Sequence, residues 1–203
     1  MLFVTKSIRG IKFQKEKTKM QKKPFQYEHV LLLREKLKGR DLILFSVAFD
    51  SVLRKSDLLT LRVSDVIDNN GVPKARETKV MAKTGRKVTW ALSPFTSQAI
   101  VDFVESEGLR PENYLFPGRG GEEHLSGIQY SRLVKRWAMI CKLDHKEFST
   151  HSMRRSKLSI VYEKTKDIEV CRQLAGHQSV ANTSLYLNIS ANNALDVVDS
   201  LGL

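Results

Sequence analysis

The stretch His151-Ser152-Met153-Arg154, with Gly176-His177 and Tyr186 behind it, decides how this chain is read. On a helix, a histidine and an arginine three apart share one face and can reach the same small anion. The second histidine follows Arg154 by 23 residues, and the tyrosine follows that by nine. An arginine, two histidines and a tyrosine suit attack on a phosphate by a phenolic oxygen, with the developing charge held by fixed cations.

Taken singly, each of these residues has a plainer explanation. Tyr186 can be an amphipathic tyrosine packing a short helix. His151 and Arg154 can be a solvated surface pair, and His177 can close the helix that ends before Gly176. A phenol ionises only near pH ~10, so Tyr186 becomes a nucleophile only beside cations and a proton acceptor. The spacing supplies such neighbours to Tyr186 and to none of Tyr27, Tyr114, Tyr130 or Tyr162.

The pattern H-x-x-R…G-H…Y resembles the tyrosine recombinases, the phage integrase family. A second stretch strengthens the resemblance. Val52-Leu53-Arg54-Lys55-Ser56-Asp57-Leu58-Leu59-Thr60-Leu61-Arg62-Val63-Ser64-Asp65 fits the family frame G-x-R-x-x-[ED]-L-x-x-L-x-x-x-D, with Val52 in the place of the glycine. Arg54 takes the catalytic arginine position, and Asp57 is expected to hold it by a charge-assisted bond. Lys83, in the turn Ala82-Lys83-Thr84-Gly85-Arg86, matches the family's hairpin lysine. Met153 replaces a usual leucine, Arg155 stands where a histidine is common, and Leu174-Ala175-Gly176 replaces a frequent Leu-Leu-Gly. The resemblance covers about residues 26–190, and the family's amino-terminal DNA-clamping domain has no counterpart in it.

The resemblance implies a division of labour. Tyr186 is the nucleophile, Arg54 and Arg154 clamp the phosphate, His151 and His177 orient it, and His151 accepts the phenolic proton. Lys83 protonates the departing 5′ oxygen. Lys83, Arg86, Lys87 and Arg155 are expected to contact DNA. The implied product is a 3′-phosphotyrosyl link made without metal, ATP or cofactor. Double-stranded DNA is the implied partner, with self-association into a tetramer, exchange through a Holliday junction and accessory DNA-bending proteins. A prokaryotic, cytoplasmic, DNA-associated protein of a phage or mobile element is the setting this implies.

Composition agrees with a polyanionic partner. The chain has 203 residues, a formal net charge of +12 and 41% hydrophobic residues, enough for one domain with a sizeable core. Residues 1–24 hold eight Lys/Arg against Glu16, a net +7 that leaves only +5 for the rest. They are expected to form a basic arm or linker, with 25–203 the catalytic domain. Cys141 and Cys171 are too few for a disulfide framework and lack metal-ligand spacing, which points to a reducing interior. The longest apolar run, 42–49, is too short to cross a bilayer, and the amino terminus lacks signal-peptide order.

Periodicity and breakers predict helices over 26–38 (closed by Gly39), 41–53, a short one to Leu61 capped by Ser56-Asp57, and 94–107. Further helices are predicted over 126–142, 150–163, 166–175, 179–186 and about 192–201. Strands are predicted at 62–67, 74–81 and 87–92, the last two joined by the 82–86 turn. The expected fold class is therefore α+β, a mostly helical domain with one small antiparallel β-sheet. The apolar positions Ala194, Leu195, Val197, Val198 and Leu201 in 190–203 predict an amphipathic helix docking on a neighbour or on its own domain. Three other functions compete: a type IB topoisomerase-like strand cleaver, a DNA-binding regulator sharing the fold, and a metal-dependent nuclease using His151 and His177. The last lacks supporting carboxylates.

Overall fold

The computed structural model describes residues 21–187; the segment expected to form the last helix, 190–203, and most of the basic arm lie outside them. The architecture is mostly helical with a two-stranded antiparallel sheet, as the sequence predicts. Helices α1 (Tyr27–Lys36), α2 (Gly39–Ser51) and α3 (Lys55–Leu59) lead into the hairpin β1 (Arg76–Val80) and β2 (Lys87–Ala91). Then follow α4 (Pro94–Ser106), α5 (Gly127–Ile140), α6 (Thr150–Thr165), α7 (Ile168–Ala175) and α8 (Val180–Leu187).

The core gathers around α2, whose residues Ile43 to Ser51 are all buried. Phe45 meets Trp137 of α5 edge-on, with ring centroids 5.4 Å apart, a preferred aromatic geometry. Phe25, just ahead of α1, is buried against Phe148, 4.6 Å between ring centroids, and its N–H donates to Ser156 Oγ of α6 at 2.8 Å. A smaller cluster of Val52, Leu158, Cys171 and Ala175 ties the end of α2 to α6 and α7, with Tyr186 and Leu187 packed against it.

Local chemistry explains the boundaries. Ser93 caps α4 and Ser126 caps α5, each accepting the N–H three residues on. In the hairpin, Val80 faces Lys87, Met81 N–H bonds Arg86 O at 2.8 Å, and Gly85 supplies the positive φ of 63° that the turn needs.

Three expectations fail. Gly39 does not close α1; it opens α2, and Leu37 is the residue that leaves the first helix. Ser56-Asp57 does not cap α3, which starts at Lys55 behind Arg54 and ends at Leu59. Residues 62–67 are not a strand. Val63–Asp65 makes a 3-10 turn in which Asp65 Oδ2 accepts the Arg62 N–H at 2.9 Å, leaving single bridges from Arg62 to Tyr114 and from Ile67 to Pro73. A short acidic side chain here satisfies the backbone that a strand ladder would otherwise use.

Candidate active site

Four elements meet at one cleft of about 800 Å³. The segment after α2 delivers Arg54, the hairpin turn Lys83, Thr84 and Arg86, α6 His151 and Arg155, and the α7–α8 corner His177, Gln178, Asn182, Leu185 and Tyr186. Gln21 and Lys22 border the same cleft. The lining contains five Lys/Arg and no carboxylate, a composition that favours an anion.

Each side chain is placed by its own local device. Ser149 starts α6 by accepting the His151 N–H, so His151 stands in the first turn, facing the cleft. Asp167 caps α7 through the N–H groups of Glu169 and Val170. Gly176 ends α7 at φ 61°, turning the chain so that His177 enters the site. A Cβ at 176 would lie 2.4 Å from Val88 Cγ2, so α7 sits on β2 closely enough that only glycine fits. On α8, Asn182 and Tyr186 are four residues apart and share the face that looks into the cleft.

Tyr186 is half-buried, and its hydroxyl lies 2.9 Å from His151 Nδ1. The His177 ring packs on the Tyr186 ring, 4.9 Å between centroids, and its Nδ1 lies 3.1 Å from Thr183 Oγ1. Burial pushes the His177 pKa down to about 4, aided by the charges of Arg154 and Arg54. Desolvation also lowers the pKa of His151, as do Arg154, Lys55, Arg54 and Lys83. Both imidazoles are therefore neutral near pH 7, and a neutral ring nitrogen can accept a proton.

Arg154 is more deeply buried than an open surface pair would be. It lies deeper than His151, 2% exposed and outside the cleft lining, yet beside both His151 and Tyr186. One Nη donates to the carbonyl of Val52 and the other to that of Ala175 at 3.0 Å. Its guanidinium carbon is 5.9 Å from the centre of the Tyr186 ring. Burial lowers its pKa, while Tyr186 acts in the opposite direction. Val52 holds φ 54°, a left-handed conformation that a β-branched residue adopts at a cost, and this aims its carbonyl at Arg154.

Asp57 does not hold Arg54. Its Oδ1 accepts the N–H of Ala82 at 2.8 Å, anchoring the turn that carries Lys83, and its Oδ2 is buried without a partner. Arg54 Nη1 is likewise buried and unpartnered among the described residues. Lys87 is exposed at the start of β2, outside the cleft lining, whereas Lys83 and Arg86 border it. Thr183, Gln178, Asn182 and Leu185 escaped the sequence reading. Only the four-residue spacing of Asn182 and Tyr186 offered a signal. No group of three or more His, Cys, Asp or Glu side chains among the described residues could hold a metal, and no described helix is long and apolar enough to cross a membrane.

Residues 23–193 match the model of the phage integrase family. A tyrosine recombinase of Pseudothermotoga lettingae is 26% identical over 162 residues, covering 80% of this chain and 54% of the relative. The probable integrase/recombinase YoeC of Bacillus subtilis is 32% identical over 150 residues, covering 74% of this chain and 78% of YoeC. Tyrosine recombinase XerD of Rickettsia prowazekii is 24% identical over 160 residues, and the match covers 74% of this chain but 51% of XerD. The chain thus spans about half the length of two of these three relatives. In fold it is similar to the XerA recombinase, with a TM-score of 0.71 at 17% identity over 89% of this chain and 65% of that one. The XerH recombinase bound to its palindromic difH substrate gives a TM-score of 0.70 at 16% identity, over 89% of this chain and 53% of XerH.

Proposed function

The chain belongs to the phage integrase family, and on that premise we propose that it cuts and rejoins double-stranded DNA as a site-specific tyrosine recombinase. One observation carries the reading: a phenol 2.9 Å from a neutral imidazole nitrogen, in a cleft lined by Lys22, Arg54, Lys83, Arg86 and Arg155 and free of carboxylates. The Tyr186 oxygen attacks the scissile phosphorus, and His151 Nδ1 takes the phenolic proton. Charge grows on the non-bridging oxygens as the bond forms. Arg54 meets it from the cleft wall, and Arg154 adds a fixed positive charge behind the tyrosine ring. Lys83, on the exposed turn, protonates the 5′ oxygen as it leaves.

The product of this reading is a 3′-phosphotyrosyl link and a free 5′ hydroxyl. The phosphoester bond energy is kept in the link, so a second 5′ hydroxyl reverses the step without ATP or metal. Exchange between two duplexes then passes through a Holliday junction. That sequence calls for self-association on DNA, with a tetramer as the arrangement we favour and accessory DNA-bending proteins as helpers. Residues 1–24 act in this scheme as a basic arm ahead of a catalytic domain at 25–203.

A nicked suicide duplex carrying a recombination site tests the proposal. The protein is expected to leave a denaturant-stable adduct on the 3′ phosphate, and Tyr186→Phe none. An adduct that persists in Tyr186→Phe rejects the nucleophile. Binding to the site without any adduct supports the regulator that shares the fold.

A further inference from the structure

His177 reaches the cleft from a corner and not from a helix, since α7 ends at Ala175 and α8 begins at Val180. Its ring is seated by α8: Tyr186 packs against it, and Thr183 Oγ1 lies 3.1 Å from its Nδ1. Its peptide is held by one residue of α7. The His177 N–H donates to the Arg172 carbonyl at 3.1 Å, and Arg172 Nη1 donates to the His177 carbonyl at 2.9 Å. The Arg172 guanidinium is itself fixed. Its Nε and Nη2 grip the two carboxylate oxygens of Glu169 at 2.6 and 2.5 Å, and Gln173 Nε2 donates to the same carboxylate at 3.0 Å. A glutamate and an arginine three apart on a helix are ordinarily a solvated surface pair that adds little to stability. Here the remaining nitrogen leaves the helix and crosses the Gly176 turn to a residue of the cleft.

We propose that Arg172, locked by Glu169, is a positioning residue that fixes the corner between α7 and α8, so that the His177 ring stays seated on Tyr186 and turned to the phosphate. This rests on the recombinase reading above and adds to it a residue outside the cleft lining. The corner needs a second tie. Gly176, at φ 61°, has no Cβ to restrict its own torsions, and the two bonds between Arg172 and His177 close a ring around it. The bidentate carboxylate contact sets the plane of the guanidinium, which aims Nη1 at the His177 carbonyl. A lysine carries a point charge and no such plane. The lock also holds across the pH range of the reaction, because the bonds from Arg172 and Gln173 bring the Glu169 pKa down to about 2.

The test follows three readouts in the full chain: single-turnover cleavage of the nicked suicide duplex, binding of that duplex, and titration of the His177 ring by NMR. Arg172→Met keeps the aliphatic stem and removes every side-chain bond of the lock. It is expected to bind the duplex as tightly as wild type and to cleave it about tenfold to a hundredfold more slowly, the scale of a small misplacement at a reacting centre. Its His177 pKa is expected to rise from about 4 towards the ordinary 6.5 as the ring leaves its seat. Arg172→Lys, which keeps one donor for the His177 carbonyl, is expected to recover part of the rate. Glu169→Gln, which weakens the grip, is expected to fall between wild type and Arg172→Met. Wild-type cleavage by Arg172→Met, or an unmoved His177 titration, overturns the assignment. A loss of duplex affinity large enough to explain the slower cleavage also overturns it, making Arg172 a DNA contact instead. If the wild-type chain cleaves nothing, the recombinase reading fails, and the His177 titration still decides whether Arg172 holds the ring.

Discussion

His151 Nδ1 and the Tyr186 hydroxyl are 2.9 Å apart although 35 residues separate them in the chain. Under the proposed mechanism, in which His151 accepts the phenolic proton, the contact sets a pH dependence. A proton acceptor must be neutral, and the His151 pKa is lowered from 6.5. Cleavage is therefore expected to be flat above about pH 6.5 and to be lost only as pH falls through the lowered value. His151→Gln is expected to cut the rate by about 10² to 10⁴ and to erase this acid limb. Single-turnover cleavage between about pH 5 and pH 8 checks both. A limb that survives in His151→Gln assigns the titration to another group.

His177 makes a second, thermodynamic prediction. Its folded pKa of about 4 lies below the ordinary 6.5, so the unfolded chain binds the proton more readily between these values. The stability it contributes is complete above about 6.5 and declines as pH falls towards 4. Urea midpoints at about pH 7.5 and pH 5 are expected to differ in that direction, and His177→Gln to narrow the difference. An unchanged difference in His177→Gln counts against this origin.

Gly176→Ala is expected to destabilise by about 1–3 kcal/mol. The new methyl meets Val88 Cγ2 at a distance shorter than real contacts allow, and the φ of 61° adds strain. Val88→Ala should relieve the first cost and not the second. The double variant is therefore expected to be more stable than the sum of the two single changes, as read from denaturant midpoints.

At position 52 the usual order of side chains is expected to invert. Val52→Ala loses buried surface and keeps the left-handed strain. Val52→Gly loses the surface and the strain together. Val52→Gly is thus expected to be about 1 kcal/mol more stable than Val52→Ala, although glycine buries less. Melting the three proteins side by side decides it, and an alanine variant that melts above the glycine one rejects the strain.

Asp57→Ala removes the acceptor that holds Ala82 N–H, at a cost of about 1–3 kcal/mol. Because that bond steadies the turn bearing Lys83, amide exchange across 82–86 is expected to speed up. Exchange unchanged from wild type would show that the hairpin holds the turn unaided.

Much of the site was legible from residue type and spacing, because His151 stands in the first turn of α6, Tyr186 on α8, and His177 in the corner that Gly176 turns between α7 and α8. The hairpin was legible too, since Gly85 and the alternation on either side of it are short-range signals. The deep burial of Arg154 was not legible, because its partners are carbonyls 102 and 21 residues away and backbone acceptors carry no sequence signature. Asp57 looked like a partner for Arg54 because helical spacing places them together. Arg54 lies before the first turn of α3, which breaks that geometry. Segment 62–67 reads as a strand by composition, and a single aspartate turns it into a bend.

Phe25 has a practical consequence for protein engineering. Its ring is seated among Phe45 and Phe148, its amide is tied to Ser156, and Lys23 is paired with Glu147 at 2.9 Å. The chain therefore passes the rim of the cleft along a fixed path from Gln21 to Phe25. A cargo domain fused ahead of Gln21 would inherit that heading, and its address relative to the cleft would be set by the body of the protein and not by linker length alone. A start site moved to Tyr27 would discard the aromatic plug and expose the hollow beneath it.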